Sequence, residues 1–279
     1  MSAVTSHDAN MGSPTQSWIE YMQAGGYSPR TITDRARTIT QLETAAGEPA
    51  LDAITRDLQK WLATPWKPGT RQTYQHTLNA YYRWAHDMGL RADDPTERLA
   101  RAKVPRRRPR PMSDLDFHKV MKTRVHPKTR VMILLAAYAG LRAHEIAKVH
   151  SDDVDTANMI LTVNGKGGVS RYIPIHEKLH PYVNTVGYWF PNTKDSKLGP
   201  AGTAHVLPNG VSAIISQVLR RAGVEGTPHT LRHRFATRLL KVGVDIRVVQ
   251  ELMGHASLAT TSLYVAVDMD QQRAAIGAL

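Results

Sequence analysis

A basic, proline-rich stretch near residue 100 divides the sequence into two parts. From Arg98 to Arg110 the chain carries seven cationic residues and no acidic one, and the three prolines of the stretch are Pro105, Pro109 and Pro111. Proline opposes a helix and keeps the residue before it extended. The predicted divisions are a disordered leader, a first domain, a linker and a second domain, at residues 1–16, 17–99, 100–111 and 112–279.

The two predicted domains differ in their secondary structure. In the first, apolar residues recur at helical spacing, and each predicted helix ends near a glycine or proline. Tyr74, Tyr81 and Tyr82 fall on one such face and are predicted to pack in the core. The second domain adds two strand-like runs, NMILTV and VSRYIPI, on either side of the turn NGKGG. The predicted fold class is mainly α: a helical N-terminal domain plus an α+β domain with a small β-sheet, a hairpin around Lys166.

The composition restricts the chemistry that this chain can perform. Lysine and arginine number 36 against 24 acidic residues, a net charge of +12, which favours nucleic acid as the partner and an anionic membrane second. The chain has no cysteine, so disulfides, thiolate catalysis and cysteine-based zinc sites are excluded. Its 13 histidines form no H-E-x-x-H pattern. No apolar run is long enough to span a bilayer. We expect no metal, no cofactor and no membrane association.

The linker has two possible interpretations. It is a solvated spacer, or it lies on a phosphate backbone, because a segment this basic repels itself without a polyanionic partner. We expect both to hold. The candidate DNA-binding residues are Arg101, Lys103, Arg106, Arg107, Arg108 and Arg110.

Several polar residues of the second half have the chemistry for attack on a phosphate diester. Arg142 follows Gly140, and Glu145 shares its helix face; alone, this pair indicates an ordinary surface ion pair. His229 and Arg232 have i,i+3 spacing near a helix N-terminus, where anions are favoured. The remaining candidates are Lys166, in the glycine-rich turn, and His255 and Tyr264, near the C-terminus.

Tyr264 is the potential nucleophile of this set. An ordinary tyrosine is ionised only to about one part in a thousand at pH 7, so it needs a base or a cationic pocket. Two arginines can grip a phosphate diester, since each planar fork donates two bonds and keeps its charge. A lone tyrosine in a helix is more often a packing residue. Together, these residues indicate an enzyme that cuts and rejoins DNA through a tyrosine–phosphate bond.

Four segments of the second half closely resemble the signature boxes of the tyrosine recombinases, the phage integrase family. They are AGLRAHEI, NGKGGVSRYIPI, PHTLRHRFAT and MGHASLATTSLY, and the resemblance runs from about Met112 to Asp268. The helical first half resembles that family's core-binding domain through softer motifs. His144 is a departure, because many relatives carry a small residue before the glutamate.

The resemblance implies a role for each residue. Tyr264 forms a 3′-phosphotyrosyl link, and Arg142 and Arg232 clamp the non-bridging oxygens of the scissile phosphate. Lys166 protonates the leaving 5′ oxygen and His229 takes the tyrosine proton. The remaining two are His255, which hydrogen-bonds the phosphate, and Glu145, a supporting residue.

The expected function is that of a site-specific DNA recombinase, an integrase of phage or prophage DNA that needs neither metal nor ATP. The resemblance implies double-stranded DNA with specific attachment sites, a homotetramer on DNA and a directionality or DNA-bending factor as partners. We expect the protein in the cytoplasm of a bacterial host, at the nucleoid. Alternatives within the family are a Xer-type resolvase and a mobile-element recombinase. Outside that role, the alternatives are a type IB topoisomerase and a DNA-binding protein that has lost catalysis.

Overall fold

The computed structural model describes residues 13–104, 111–165, 170–192 and 204–254. The chain divides into two compact units, Met1–Arg107 and Arg108–Leu279. The division falls inside the stretch predicted to be the linker. Within the described residues, no helix is long and apolar enough to cross a membrane.

The described part of the first unit is helical. Its helices are α1 (Pro14–Ala24), α2 (Pro29–Ala46), α3 (Thr55–Leu62) and α4 (Pro68–Asp87). Helix α1 begins three residues before the predicted start of the domain, so Pro14, Thr15 and Gln16 are not part of a disordered leader. The cause is local: the Ser13 hydroxyl accepts a hydrogen bond from the Gln16 amide, and a proline occupies the first turn.

Aromatic side chains fill the core of the first unit. Tyr81 and Tyr82 are fully buried on α4, and Tyr81 lies 5.1 Å from Trp18 in an edge-on arrangement. The Tyr82 hydroxyl donates to the Ala50 carbonyl at 2.6 Å. Tyr74 is half-buried and stacks on Trp61 at 5.0 Å. The predicted core role of these tyrosines is confirmed.

The first residues of the predicted linker pack on α4 and are not free. The Gln75 side chain donates to the Ala100 carbonyl at 2.9 Å and accepts from the Ala102 amide at 2.7 Å. One buried side-chain amide thus satisfies two backbone polar groups of this segment, a carbonyl and an amide. Arg101 and Lys103, on either side of Ala102, are exposed.

The second unit combines helices with a small antiparallel sheet. The helices are α5 (Asp114–Lys122), α6 (Pro127–Tyr138), α7 (Ala143–Lys148), α8 (Pro208–Arg221), α9 (Pro228–Lys241) and α10 (Ile246–Met253). Seven consecutive residues of α6, from Val131 to Ala137, are buried, so this helix lies at the centre of the core. The strands are β1 (Val154–Asp155), β2 (Ile160–Asn164) and β3 (Ser170–Pro174), in the order β1-β2-β3.

The predicted hairpin is present. Strands β2 and β3 pair antiparallel from Ile160 with Pro174 to Asn164 with Ser170. The Ser170 hydroxyl donates to the Asn164 side chain at 2.7 Å and closes the base of the turn. Lys166 itself belongs to residues 166–169, which lie outside the described residues. The predicted fold class, mainly α with a small sheet in the second domain, is confirmed.

Candidate active site

A buried carboxylate lies at the centre of the second unit's polar residues. The side chain of Glu145 is 2% exposed. It accepts hydrogen bonds from both terminal nitrogens of Arg171, at 2.9 and 2.8 Å, and from Nη1 of Arg142 at 3.0 Å. Nη1 of Arg232 lies 3.8 Å from Oε2 of the same carboxylate. Three guanidinium groups therefore surround one carboxylate, which leaves the cluster with a net positive charge.

The junction between α6 and α7 places Glu145 in this position. Gly140 adopts φ +63°, and a side chain there would meet the ring of Phe235. Arg142 is then the N-cap of α7, and its backbone amide donates to the Glu145 carboxylate at 2.7 Å. A carboxylate in the first turn of a helix satisfies a free amide and favours the positive end of the helix dipole. The turn thus orients the Arg142 side chain and Glu145 together.

The surrounding arginines hold the Glu145 carboxyl in its ionised form. Burial by itself would raise the pKa of Glu145, but the hydrogen bonds from Arg171 and from the Arg142 amide, with the charges of Arg171 and Arg232, outweigh it. The resulting pKa is about 2. The carboxylate therefore stays negative at neutral pH and offsets part of the arginine charge.

The arginines also contact the end of α10. Nε of Arg171 donates to the Leu252 carbonyl at 3.0 Å, and Nη2 of Arg142 donates to the Gly254 carbonyl at 3.0 Å. Arg232, which is 2% exposed, donates to the carbonyls of Gly140 and Met253. Three successive carbonyls at the C-terminus of α10 thus each accept from a different arginine. Cations are favoured at that end of a helix.

Both predicted phosphate-binding arginines line one cavity. It has a volume of about 280 Å³, and Arg142, Arg232 and His229 lie in its wall with three hydroxyl side chains, Ser212, Ser216 and Thr227. Arg142 is the more accessible of the two arginines, with 28% of its side chain exposed.

His229 is held in its neutral form. Burial lowers the pKa of His229 below its usual 6.5, and the charges of Arg232 and Arg142 lower it further. One turn along α9, the ring of His233 lies 6.0 Å away, and burial together with His229 lowers the pKa of His233 to about 4. A neutral imidazole can accept a proton, so the site is equipped for base catalysis at neutral pH.

The structure brings together four of the predicted site residues: Arg142, Glu145, His229 and Arg232. Lys166, His255 and Tyr264 lie outside the described residues. Helix α10 ends at Met253, two residues before His255. Arg106, Arg107, Arg108 and Arg110 of the linker also lie outside the described residues. Where the chain is described, no cluster of three or more histidine or acidic residues could hold a metal ion.

The sequence interpretation missed Arg171, which donates hydrogen bonds to Glu145 from both of its terminal nitrogens. The signal was present in the alternation of VSRYIPI, where Arg171 and Ile173 share the buried face of β3. A buried arginine in a strand requires a carboxylate partner in the core. The pattern gives no indication of which carboxylate that is.

Comparisons with known proteins agree on one family. Residues 115–271, more than half of the chain, match the model of the phage integrase family. The chain is 32% identical to tyrosine recombinase XerA of Pyrococcus furiosus over 94% of its own length and 92% of that protein. It is also 32% identical to tyrosine recombinase XerC of Mycobacterium bovis, over 81% of its length and 83% of the relative.

Solved structures show the same relationship. The integrase from mycobacterium phage Brujita has 36% identity and a TM-score of 0.50, over 93% of this chain and 89% of that one. A lambda integrase fragment, solved as a dimer bound to a COC′ core site, has a TM-score of 0.74 over 90% of this chain and 93% of that one. At 17% identity, the latter shows a shared fold. The family model and the relatives together establish that this chain belongs to the phage integrase family and is a tyrosine recombinase.

Proposed function

We propose that this site-specific recombinase cuts and rejoins duplex DNA through a 3′-phosphotyrosyl link to Tyr264. The observation that carries the proposal is the cavity in which Arg142, Arg232 and neutral His229 meet, with buried Glu145 behind them. Two fixed guanidinium groups bind the non-bridging oxygens of a phosphate. They stabilise the transition state more than the ground state, since charge on those oxygens grows during attack.

The proposed step balances as a transesterification. The Tyr264 oxygen forms a bond to phosphorus while the bond from phosphorus to the 5′ oxygen breaks. His229 takes the tyrosine proton, Lys166 gives a proton to the 5′ oxygen, and His255 hydrogen-bonds the phosphate. Because the link to tyrosine retains the phosphodiester energy, rejoining needs no ATP. The two arginines supply the positive charge that a metal ion supplies in many nucleases, so we propose that no metal is needed.

We propose that the biological role is integration and excision of phage or prophage DNA. The likeness to the Brujita phage integrase, at 36% identity, supports it. The Xer recombinases, at up to 32% identity over most of the chain, favour a second candidate, a Xer-type resolvase. The DNA-bound lambda and Tn1549 integrases support double-stranded DNA as the partner. The proposal includes a homotetramer on DNA, a directionality or DNA-bending factor, and action at the nucleoid in the bacterial cytoplasm.

The test of the proposed chemistry is a covalent adduct on a nicked suicide substrate. The wild-type protein should form a denaturant-resistant adduct in excess EDTA and without ATP. Tyr264→Phe should bind the same DNA and form none, because only the attacking oxygen is removed. An adduct with the Phe variant would assign the nucleophile elsewhere. Wild-type protein that binds DNA without any adduct would support the DNA-binding protein that has lost catalysis.

A sulfur-substituted substrate tests the role of Lys166. Lys166→Ala should cleave normal DNA slowly, because a general acid contributes about 10²–10⁴ in rate. When sulfur replaces the leaving 5′ oxygen, cleavage should recover, since a thiolate departs without a proton. Arg232→Ala serves as the control and should not recover, because its proposed role is at the non-bridging oxygens. A Lys166 variant that stays equally slow on the sulfur substrate would move the acid role to another residue, with His255 next.

A further inference from the structure

Arg171 connects parts of the site that are far apart in the sequence. It lies on β3, one strand of the hairpin whose turn contains Lys166. Its terminal nitrogens bind Glu145, 26 residues earlier, and its Nε binds the Leu252 carbonyl, 81 residues later. Glu145 in turn fixes Arg142, and Leu252 lies three residues before His255. A single side chain therefore touches the hairpin, the α7 turn and the end of α10.

The contact between Arg171 and α10 is tight. Gly254 ends α10 with φ +58°, and a β-carbon at that position would lie 2.9 Å from Nη1 of Arg171. The helix end thus reaches the guanidinium only because it has no side chain there. The Arg171 guanidinium therefore contacts both the end of α10 and the Glu145 carboxylate, so one planar group sets the position of the helix end and the orientation of the carboxylate.

Stability alone is a poor explanation for this arrangement. Burying an ion pair costs desolvation, and replacement by well-packed apolar residues is often neutral or stabilising. The side chains of Arg171 and Glu145 are 7% and 2% exposed, so both bear that cost. An apolar pair could not supply geometric specificity. The Glu145 carboxylate binds Arg171 through both oxygens, which fixes the plane of that guanidinium, and it also fixes the rotamer of Arg142.

We propose that Arg171 is a positioning residue for strand cleavage: it orients Arg142 through Glu145 and holds the C-terminal end of α10 in place. The inference rests on the proposed function, since it presumes cleavage at that site. A lysine at position 171 keeps the charge but has no planar fork, so it cannot hold both carboxylate oxygens and the Leu252 carbonyl in one geometry.

The test measures single-turnover cleavage of the suicide substrate at saturating DNA, with the Kd for DNA and the unfolding midpoint alongside. Arg171→Lys should cleave on the order of 10²-fold more slowly, since misplacement of about 1 Å costs that much. Its Kd for DNA should stay close to that of the wild type. The matched control is Arg234→Lys. Arg234 is also buried in the second unit, where it forms an ion pair with Asp114 at 2.8 Å and lies 4.0 Å from the Phe117 ring. It is not among the residues that line the cavity. The Arg234→Lys variant should cleave the substrate at the wild-type rate.

A second pair of variants leaves Arg171 itself unchanged: one member perturbs its contact with α10 and the other is the control. Gly254→Ala places a methyl group against the guanidinium and should slow cleavage. Gly243→Ala has the same left-handed strain, at φ +84°, but no atom within 4 Å of the new carbon, and should not slow it. This pair decides the question if Arg171→Lys fails to fold.

Two results would overturn the inference. One is that, in either pair whose variants fold, the test variant and its control change the cleavage rate equally. The other is a loss that lies wholly in the Kd for DNA. Failure of the wild-type protein to form an adduct would instead count against the proposed function, so the two failures are distinguishable.

Discussion

At the scale of single residues, the proton-accepting role of His229 has a measurable consequence for pH. Burial and the charges of Arg232 and Arg142 lower its pKa below 6.5. The neutral, accepting form therefore dominates at every pH above that lowered value. We expect the single-turnover cleavage rate to decline as the pH falls and the ring becomes protonated, with a midpoint below pH 6.5.

The neighbouring histidine provides the control for that profile. The pKa of His233 is about 4, so its ring is still neutral at pH 6.5. His233→Asn should leave the midpoint of the pH profile unchanged, whereas His229→Gln should abolish the pH-dependent limb and lower the rate at all pH values. A wild-type midpoint above pH 6.5 would contradict the proposed base.

At the scale of elements, the turn between α6 and α7 is the most constrained part of the site. Gly140→Ala would force a left-handed backbone on alanine and place its β-carbon 2.5 Å from the Phe235 ring. We expect a loss of about 2–5 kcal/mol in the free energy of unfolding, the sum of backbone strain and overpacking. Urea denaturation of the whole protein would measure it through the second unit's transition.

Gly223→Ala separates the two causes of that loss. Gly223 has φ +67°, but a β-carbon there would meet no atom within 4 Å. It should cost only the backbone strain, about 1–2 kcal/mol. If the two alanine variants lose the same free energy, the packing of Phe235 on Gly140 is not what constrains the turn.

The elements also show how far local sequence reasoning extends. The hairpin was predictable because Asn164-Gly165 and the alternation on either side of it are local signals. Strand β1 was not predicted: it has only two residues and exists by pairing with β2. The link between Arg142 and Glu145 was visible at i,i+3 spacing. The bonds from Arg171 to Glu145 depend on how β3 packs against α7, which no local pattern encodes.

At the scale of the whole molecule, the net charge of +12 favours DNA of any sequence. The basic linker is the part whose contribution can be isolated. If Arg106, Arg107 and Arg108 each touch one phosphate, replacing all three with glutamine should weaken binding to specific and non-specific DNA alike. The slope of log K against log salt concentration should fall by roughly 0.9 for each residue lost. An unchanged slope would show that these arginines are solvated.

The hydrogen bonds from arginines to the carbonyls of Gly140, Leu252, Met253 and Gly254 bear on how the family can diverge. A backbone carbonyl is present whichever amino acid occupies the position. Substitutions at Leu252 and Met253 can therefore alter packing and still leave an acceptor for each guanidinium. The positions that cannot change freely are therefore the arginines, Glu145 and the two left-handed glycines of the site, Gly140 and Gly254. The residues around them can vary widely without loss of the hydrogen bonds.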